Sequence, residues 1–243
     1  MSNKVFCRRE QKYMITAQQR QALEALLNEK MPPDKFPYSY VRSIYYDTPD
    51  RRIIRRSLEK PAYKEKIRLR CYGSVTDGSQ VFLELKKKFK GIVYKRRVSL
   101  TLQEAEKYMA DPEARLDAGQ IGREIDYVKQ FYPGLEPVVN LSYERLAWRD
   151  ADKDLRVTVD WNVRASRTCL DMRKPPEGEL LVPEDRALVE VKTARAMPLW
   201  LVEFINRNEI RKISFSKYGT VHLQTVREAL EEKRRNPYVG EIV

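Results

Sequence analysis

Between residues 64 and 72 the chain alternates so strictly that it leaves few ways to fold. Lys64, Lys66, Arg68 and Arg70 fall two apart, with Glu65, Ile67, Leu69 and Cys71 between them. A β-strand sends successive side chains to opposite faces, so this spacing gathers four cations on one face and mostly apolar groups on the other. Like charges crowded on one face repel unless something anionic sits among them. The segment therefore calls for a sheet with a covered apolar side and a counter-charge on its cationic side.

The alternation recurs. In residues 81–88, Phe82, Glu84, Lys86 and Lys88 share one face, while Val81, Leu83 and Leu85 share the other. In residues 155–164, Arg156, Thr158, Asp160, Asn162 and Arg164 alternate with Leu155, Val157, Val159, Trp161 and Val163. In residues 188–192, Glu190 and Lys192 oppose Val189 and Val191. Lys95, Arg96 and Arg97 are consecutive, so both faces of that strand carry charge and its orientation stays open. A sheet with one solvated face accounts for any single strand equally well. Taken together, however, cations dominate several strands, with only Glu84, Asp160 and Glu190 among them, and solvated faces usually mix the two signs.

Composition supports an anionic partner without choosing one. Lys and Arg number 47 against 35 Asp and Glu, a formal charge of +12, which points to nucleic acid, a membrane surface or a phosphorylated molecule. A hydrophobic fraction of 42% indicates a folded globular chain. Cys7, Cys71 and Cys169 are widely spaced with no C-x-x-C pair, so neither a disulfide framework nor a thiolate zinc site is expected. A reducing cytoplasm is the expected compartment. No secretory signal and no membrane-spanning run is read.

The remaining elements frame these strands. Short strands are predicted at 7–13, 40–46, 64–72, 81–88, 92–100, 137–146, 155–163 and 188–192, with a turn at Lys90-Gly91. Thr16 with Gln19 and Thr101 with Glu104 read as capping boxes, and Thr48-Pro49-Asp50 as a helix start. Further helices are expected at about 123–132, 198–206 and 218–235. Residues 166–187, broken by Pro175-Pro176, Gly178 and Pro183, read as a loop. The expected fold is α+β, one domain over residues 1–243. It is an antiparallel eight-stranded β-barrel tunnel with helices packed outside, its interior wide enough for side chains and one slim ligand.

Several chemistries are excluded. There is no G-x-x-x-x-G-K-[ST], no G-x-G-x-x-G and no H-E-x-x-H. His222 is the sole histidine, which removes multi-histidine metal sites and weighs against a Ser-His-Asp triad; it reads as a structural or surface residue. The run from Lys86 to Lys90 with Lys95–Arg97 imitates a nucleic-acid patch, but its strand periodicity and embedded Glu84 make that the weaker reading.

The motifs, in order, resemble the vacuolar transporter chaperone (VTC) domain of the triphosphate tunnel metalloenzymes, relatives of the CYTH proteins. They are Arg8-Arg9-Glu10-Gln11-Lys12-Tyr13, Arg42-Ser43-Ile44-Tyr45-Tyr46-Asp47-Thr48, Lys64-Glu65-Lys66-Ile67-Arg68-Leu69-Arg70 and Phe82-Leu83-Glu84-Leu85-Lys86-Lys87-Lys88. After Lys95-Arg96-Arg97 come Ser142-Tyr143-Glu144-Arg145, Arg156-Val157-Thr158-Val159-Asp160, Glu190-Val191-Lys192 and Ser214-Phe215-Ser216-Lys217-Tyr218. The resemblance implies a tunnel that binds ATP, tripolyphosphate or inorganic polyphosphate with Mn²⁺ or Mg²⁺. It implies polyphosphate synthesis from ATP, with triphosphate hydrolysis or non-catalytic polyphosphate binding as alternatives. By position it assigns Lys12, Arg68, Arg70, Arg145 and Lys217 to catalysis. Arg8, Arg42, Lys64, Lys66, Lys86, Lys88, Lys95, Arg96, Arg97, Arg156 and Lys192 are assigned to phosphate binding. Glu190 is the implied metal ligand, with Glu84 and Glu10 as further candidates. The wider superfamily often opens Glu-x-Glu-x-Lys, and Arg8 replaces the first glutamate, which favours the VTC-like variant over a hydrolase-type metal site. Polymer translocation by this chain alone is not expected, and a membrane or regulatory partner protein is.

Overall fold

The fold is described for residues 9–90, 92–174 and 177–235 of a computed structural model. In chain order the elements are β1 (Arg9–Thr16), α1 (Ala17–Lys30), β2 (Pro33–Asp47), α2 (Arg52–Leu58), β3 (Tyr63–Tyr72), β4 (Gln80–Phe89), β5 (Ile92–Thr101), α3 (Leu102–Ala110) and α4 (Gly119–Phe131). Then follow β6 (Glu136–Asp150), β7 (Leu155–Ser166), β8 (Glu179–Leu180), β9 (Arg186–Thr193), α5 (Leu199–Arg207), β10 (Lys212–Ile213) and α6 (Lys217–Arg235). Arg8, Cys7, Gly91 and the Pro175-Pro176 pair lie outside the described residues.

Every strand pairing is antiparallel, and the strands form one ten-stranded sheet in the order β10-β1-β9-β7-β6-β2-β3-β4-β5, with β8 added beside β7. The α+β class holds, but the closed eight-stranded barrel does not. Among the described residues no hydrogen-bonded ladder joins β5 back to β10 or β1, so the sheet stays open. It is nonetheless strongly curved, because side chains far apart in strand order meet. Lys86 Nζ of β4 lies 3.9 Å from a Glu10 carboxylate oxygen of β1. Lys66 Nζ of β3 donates to Ser216 Oγ at 2.8 Å, and Lys12 Nζ of β1 to the Phe215 carbonyl at 2.9 Å. Polar contacts through the 214–216 segment thus span a gap that a ladder would otherwise close.

Strand parity gives each sheet face its covering. The convex face carries Ile67, Leu69, Cys71, Val81, Leu83 and Leu85, buried under α3 and α4 with Leu102, Tyr108, Ile125 and Val128. A second group, Tyr13, Ile15, Val157, Val159, Val189 and Val191, is buried under α1 and α5 through Leu23, Leu27 and Leu201. Each such large side chain withdrawn from water contributes about 1.5–3 kcal/mol, so this face is the main source of stability. The Thr16–Gln19 and Thr101–Glu104 capping boxes form as their spacing predicts, each worth about 1 kcal/mol. At α2 the start signal is displaced. Asp47, fully buried, accepts from the Ile53 and Ile54 backbone amides, while Thr48 Oγ1 accepts from Arg52.

One helix departs from outside packing. Tyr218 and Val221 of α6 lie against Val41, Tyr45, Val139, Leu141, Tyr143, Val163 and Leu188, which point to the concave side. This apolar plug fills one end of the concave face and leaves the remainder to charged groups. The residue 166–187 loop contains the short β8 strand, and Met172 from it is fully buried among the convex-face core residues. Among the described residues, Cys71 and Cys169 are free and no helix is long and apolar enough to cross a membrane.

Candidate functional site

The concave face collects Lys12 from β1, Lys66, Arg68 and Arg70 from β3, Lys86 from β4, Lys95 and Arg97 from β5, Arg145 from β6, Arg156 from β7, Lys192 from β9 and Lys217 from α6. Glu10, Glu84, Asp160 and Glu190 lie among them. Register fixes this arrangement. Arg68 pairs with Glu84 and Glu84 with Arg97, so all three project to one side, and Lys86 pairs with Lys95 on the same side.

Glu84 is the anchor of the β3–β5 side. Its carboxylate accepts from Arg68 Nε at 2.9 Å and Nη2 at 2.8 Å, from Lys95 Nζ at 2.7 Å, and from Arg97, with Arg70 Nε at 3.9 Å. Burial would raise its pKa, but Arg68, Arg70 and Lys95 outweigh that and hold it far below the usual carboxylate range. Asp160 anchors a second pair. Arg145 grips it bidentately at 2.6 and 2.8 Å, and Lys217 Nζ, 57 residues further on, reaches it at 2.6 Å. Burial opposes its ionisation, yet Lys217 and Arg145 bring its pKa down to about 2. Asp160 stands in the alternating pattern of β7 but not among the predicted site residues; the signal was its place as an acid within a cationic face.

On the β1–β9 side the charges alternate as a checkerboard. Lys12 pairs in register with Glu190, and Glu10 with Lys192. Lys12 Nζ lies 3.2 Å from Glu10 and 3.8 Å from Glu190, while Lys192 contacts Glu190 closely and lies 3.9 Å from Glu10. Burial lowers the Lys12 pKa, but Glu10 and Glu190 more than reverse it; burial raises that of Glu190, and Lys192 and Lys12 carry it well below the usual range.

Two tyrosines complete the site. Arg68 Nη1 donates to the Tyr45 hydroxyl at 2.7 Å, and Arg70 Nη2 to the Tyr143 hydroxyl at 3.2 Å. Burial pushes the Tyr45 pKa up, but Arg68, Lys66 and Arg70 overcome it and bring it down to about 7. Burial lowers the Lys66 pKa to about 8, with Lys86 and Lys64 adding to the fall and Tyr45 opposing it. Both tyrosines stood in motifs already noted. The missed signal was their parity: Tyr45 is the register partner of Arg68.

Other predicted residues fall elsewhere. Arg42 shares its strand face with Ile44 and Tyr46, which lie in the convex core, and its Nη2 donates to the Lys174 carbonyl at 2.5 Å. Arg96 also points to the convex side, where Glu124 of α4 holds it at 3.0 Å together with Lys87. Arg164 leaves its expected face because β7 carries an extra residue opposite Ser142–Glu144, with Asn162 at φ +47°. A bulge of this kind flips strand parity, so Val163 turns inward and Arg164 donates to Gly178. Lys64 and Lys88 pair across the far end of β3 and β4, Lys64 reaching the Ser57 carbonyl at 3.2 Å. Arg156 stays on the concave face but at its opposite rim, where Asp34 holds it at 2.7 Å. Arg8 lies outside the described residues.

Among the described residues no three Asp, Glu, His or Cys side chains come together as a metal cluster. The donor chemistry still fits a hard divalent ion that keeps most of its shell for substrate. Mg²⁺-type sites commonly use one or two carboxylates plus phosphate oxygens, and Glu10 and Glu190 supply such a pair. Glu84, 1% exposed and saturated by cations, has no free oxygen direction for it.

A family model, described as the VTC domain, matches residues 7–225. Among solved structures, the chain resembles a provisionally assigned adenylate cyclase from Bacillus halodurans at 14% identity and TM-score 0.54, covering 85% of this chain and 92% of that one. It also resembles one from Vibrio parahaemolyticus at 11% identity and TM-score 0.48, covering 88% and 97%. A search of the curated proteins gave no match.

Proposed function

Since this chain belongs to the VTC domain family, we propose that its concave face binds a triphosphate or polyphosphate chain and carries out phosphoryl transfer, with polyphosphate synthesis from ATP as the reaction. One observation above the rest supports this reading. Among the described residues, seven of the strands and α6 turn eleven Lys and Arg side chains toward one another around Glu10, Glu84, Asp160, Glu190 and, at the rim, Asp34, and Glu84 and Asp160 are already saturated by cations. A linear polyanion is the partner that such a face lacks.

Phosphoryl transfer asks the protein for little covalent chemistry. It requires in-line positioning and neutralisation of charge spread over the phosphoryl oxygens. Arg68, Arg70 and Arg145 have guanidinium forks, which suit bidentate contact with phosphate oxygens, and Glu84, Asp160, Tyr45 and Tyr143 fix their orientation beforehand. Lys12, Lys66, Lys86, Lys95, Lys192 and Lys217 act as point charges along the chain, with Arg97 and Arg156 nearer the rims. Glu10 and Glu190 are the groups that would hold Mn²⁺ or Mg²⁺, which would supply Lewis-acid neutralisation of phosphate charge.

The test is a product assay on purified protein with ATP and Mn²⁺. Accumulation of long-chain polyphosphate is the expected result. Release of orthophosphate alone would assign hydrolysis, and tight tripolyphosphate binding with no turnover under Mn²⁺ or Mg²⁺ would assign a receptor. Tripolyphosphate is also expected to displace any bound RNA or DNA readily; failure to do so would favour a nucleic-acid partner.

A further inference from the structure

Three of the five N–H donors of Arg68 are engaged within the protein. Its Nε and one Nη2 hydrogen go to Glu84, and one Nη1 hydrogen goes to the Tyr45 hydroxyl at 2.7 Å, on the edge of the guanidinium that faces the concave site. Glu84 cannot yield, because Lys95 and Arg97 hold it as well. Tyr45 is the partner that can. Its ring is fixed against Tyr218, centroids 5.1 Å apart, and its hydroxyl lies on the concave face beside the β3 cations.

We infer that Tyr45 is a ligand that changes its protonation when the phosphate chain arrives. Without phosphate it is a phenolate held by Arg68; with phosphate bound it is a neutral O–H donating to a phosphate oxygen. Binding therefore takes up one proton from solvent, and Arg68 Nη1 is released to the phosphate. The charges balance: an incoming anion replaces a resident one, and the proton neutralises the resident rather than expelling it. This inference rests on the phosphate reading above.

The surroundings of the hydroxyl agree. From β3 it faces Lys66, Arg68 and Arg70, and from β1 Lys12. Glu84 of β4 acts on it through Arg68. On β6, Val139 is its register partner, and the nearby Tyr143 hydroxyl is engaged by Arg70. From α6 comes Tyr218, a neutral phenol that donates to buried Asp47. The cations thus outnumber the acids around Tyr45, and its pKa of about 7 is low enough for the switch to work near neutrality.

The experiment compares the full chain with Tyr45→Phe, which keeps the ring against Tyr218 and removes only the oxygen. The probe is tripolyphosphate without metal. In ultraviolet difference titration, the wild type is expected to show one tyrosinate with a midpoint near 7 that Tyr45→Phe lacks, and its absorption should fall on adding tripolyphosphate. Calorimetry at about pH 8 in buffers of different ionisation enthalpy should show the wild type taking up about one proton more than the variant. Subtracting the variant removes the lysines, which titrate in both proteins. Ionisation of Tyr45 in the ordinary tyrosine range, or equal proton uptake by two proteins that both bind tripolyphosphate, would overturn the inference. If the wild type binds no tripolyphosphate, the phosphate reading fails, and the ligand-linked proton fails with it.

Discussion

The two sides of the concave face use the same residue types to opposite ends. On the β3–β5 side Glu84 is 1% exposed and clasped by Arg68, Lys95 and Arg97. On the β1–β9 side Glu10 and Glu190 are 27% and 19% exposed and share Lys12 and Lys192. A buried, multiply paired charge is expensive to orphan, whereas a partly solvated pair costs little to rearrange. The first side therefore works as a lock that holds three strands in one curvature. The second can exchange its partners for a metal ion or a phosphate oxygen. Position in the sheet, rather than residue type, separates the clasped acid from the exchangeable ones.

The sharpest way to break this comparison is to remove each acid in turn. Glu84→Gln should lower the unfolding free energy by about 3–5 kcal/mol in urea titration, because it leaves Arg68, Lys95 and Arg97 crowded without their anion. A loss below about 1 kcal/mol would show that Glu84 is no lock. Glu190→Gln should change stability by no more than about 1 kcal/mol yet reduce metal-dependent turnover by about 100-fold. Full activity in that variant would remove Glu190 from the metal site.

A smaller effect is expected in the pH dependence of the phosphate-free protein. Tyr45 titrates at about 7 in the fold against 10.0 for an ordinary tyrosine, and Lys66 at about 8 against 10.5. Between each pair of values the unfolded chain binds more protons than the folded one, so stability rises with pH through that window. Melting temperature should accordingly climb from about pH 7 to about pH 10, and tripolyphosphate should flatten the climb by favouring the protonated forms. Lys66→Met should shrink the slope, and an unchanged slope would mean that Lys66 is not strained by its neighbours. The smallest effects belong to the convex face. Arg42→Ala and Arg96→Ala should leave tripolyphosphate affinity within about twofold, read by calorimetry. A larger loss at either position would move that arginine into the binding face.

The charged faces of β3 and β4 were legible because strand parity is a local property: Lys66, Arg68, Arg70, Glu84 and Lys86 needed only their spacing. The convex core followed from the same alternation. Parity became ambiguous where both faces carry like groups. Nothing in the run Lys95-Arg96-Arg97 says which residue turns inward, and only pairing with β4, with Glu124 waiting on the other side, sorts them. Spacing could not place Arg42 for a related reason, since β2 is covered on both faces and its polar residues find partners on either. At β7 a single extra residue reversed parity beyond Asn162, which removed Arg164 from the face that its spacing assigned.

The amino-acid sequence by itself determined that strands of a sheet would carry a cationic face in need of an anion, because alternation and net charge require no long-range information. It did not determine whether the sheet closes, since closure depends on whether β5 reaches the other edge, and among the described residues no ladder joins the end strands. Nor did it separate Glu84 and Asp160 from Glu10 and Glu190. That distinction arises from how many cations curvature brings to each acid. Lys217 reaches Asp160 across 57 residues, and Arg68 reaches Tyr45 across 23. Electrostatic partnership at such separations belongs to the tertiary structure, because Coulomb energies follow distance in space and the dielectric around it rather than order along the chain.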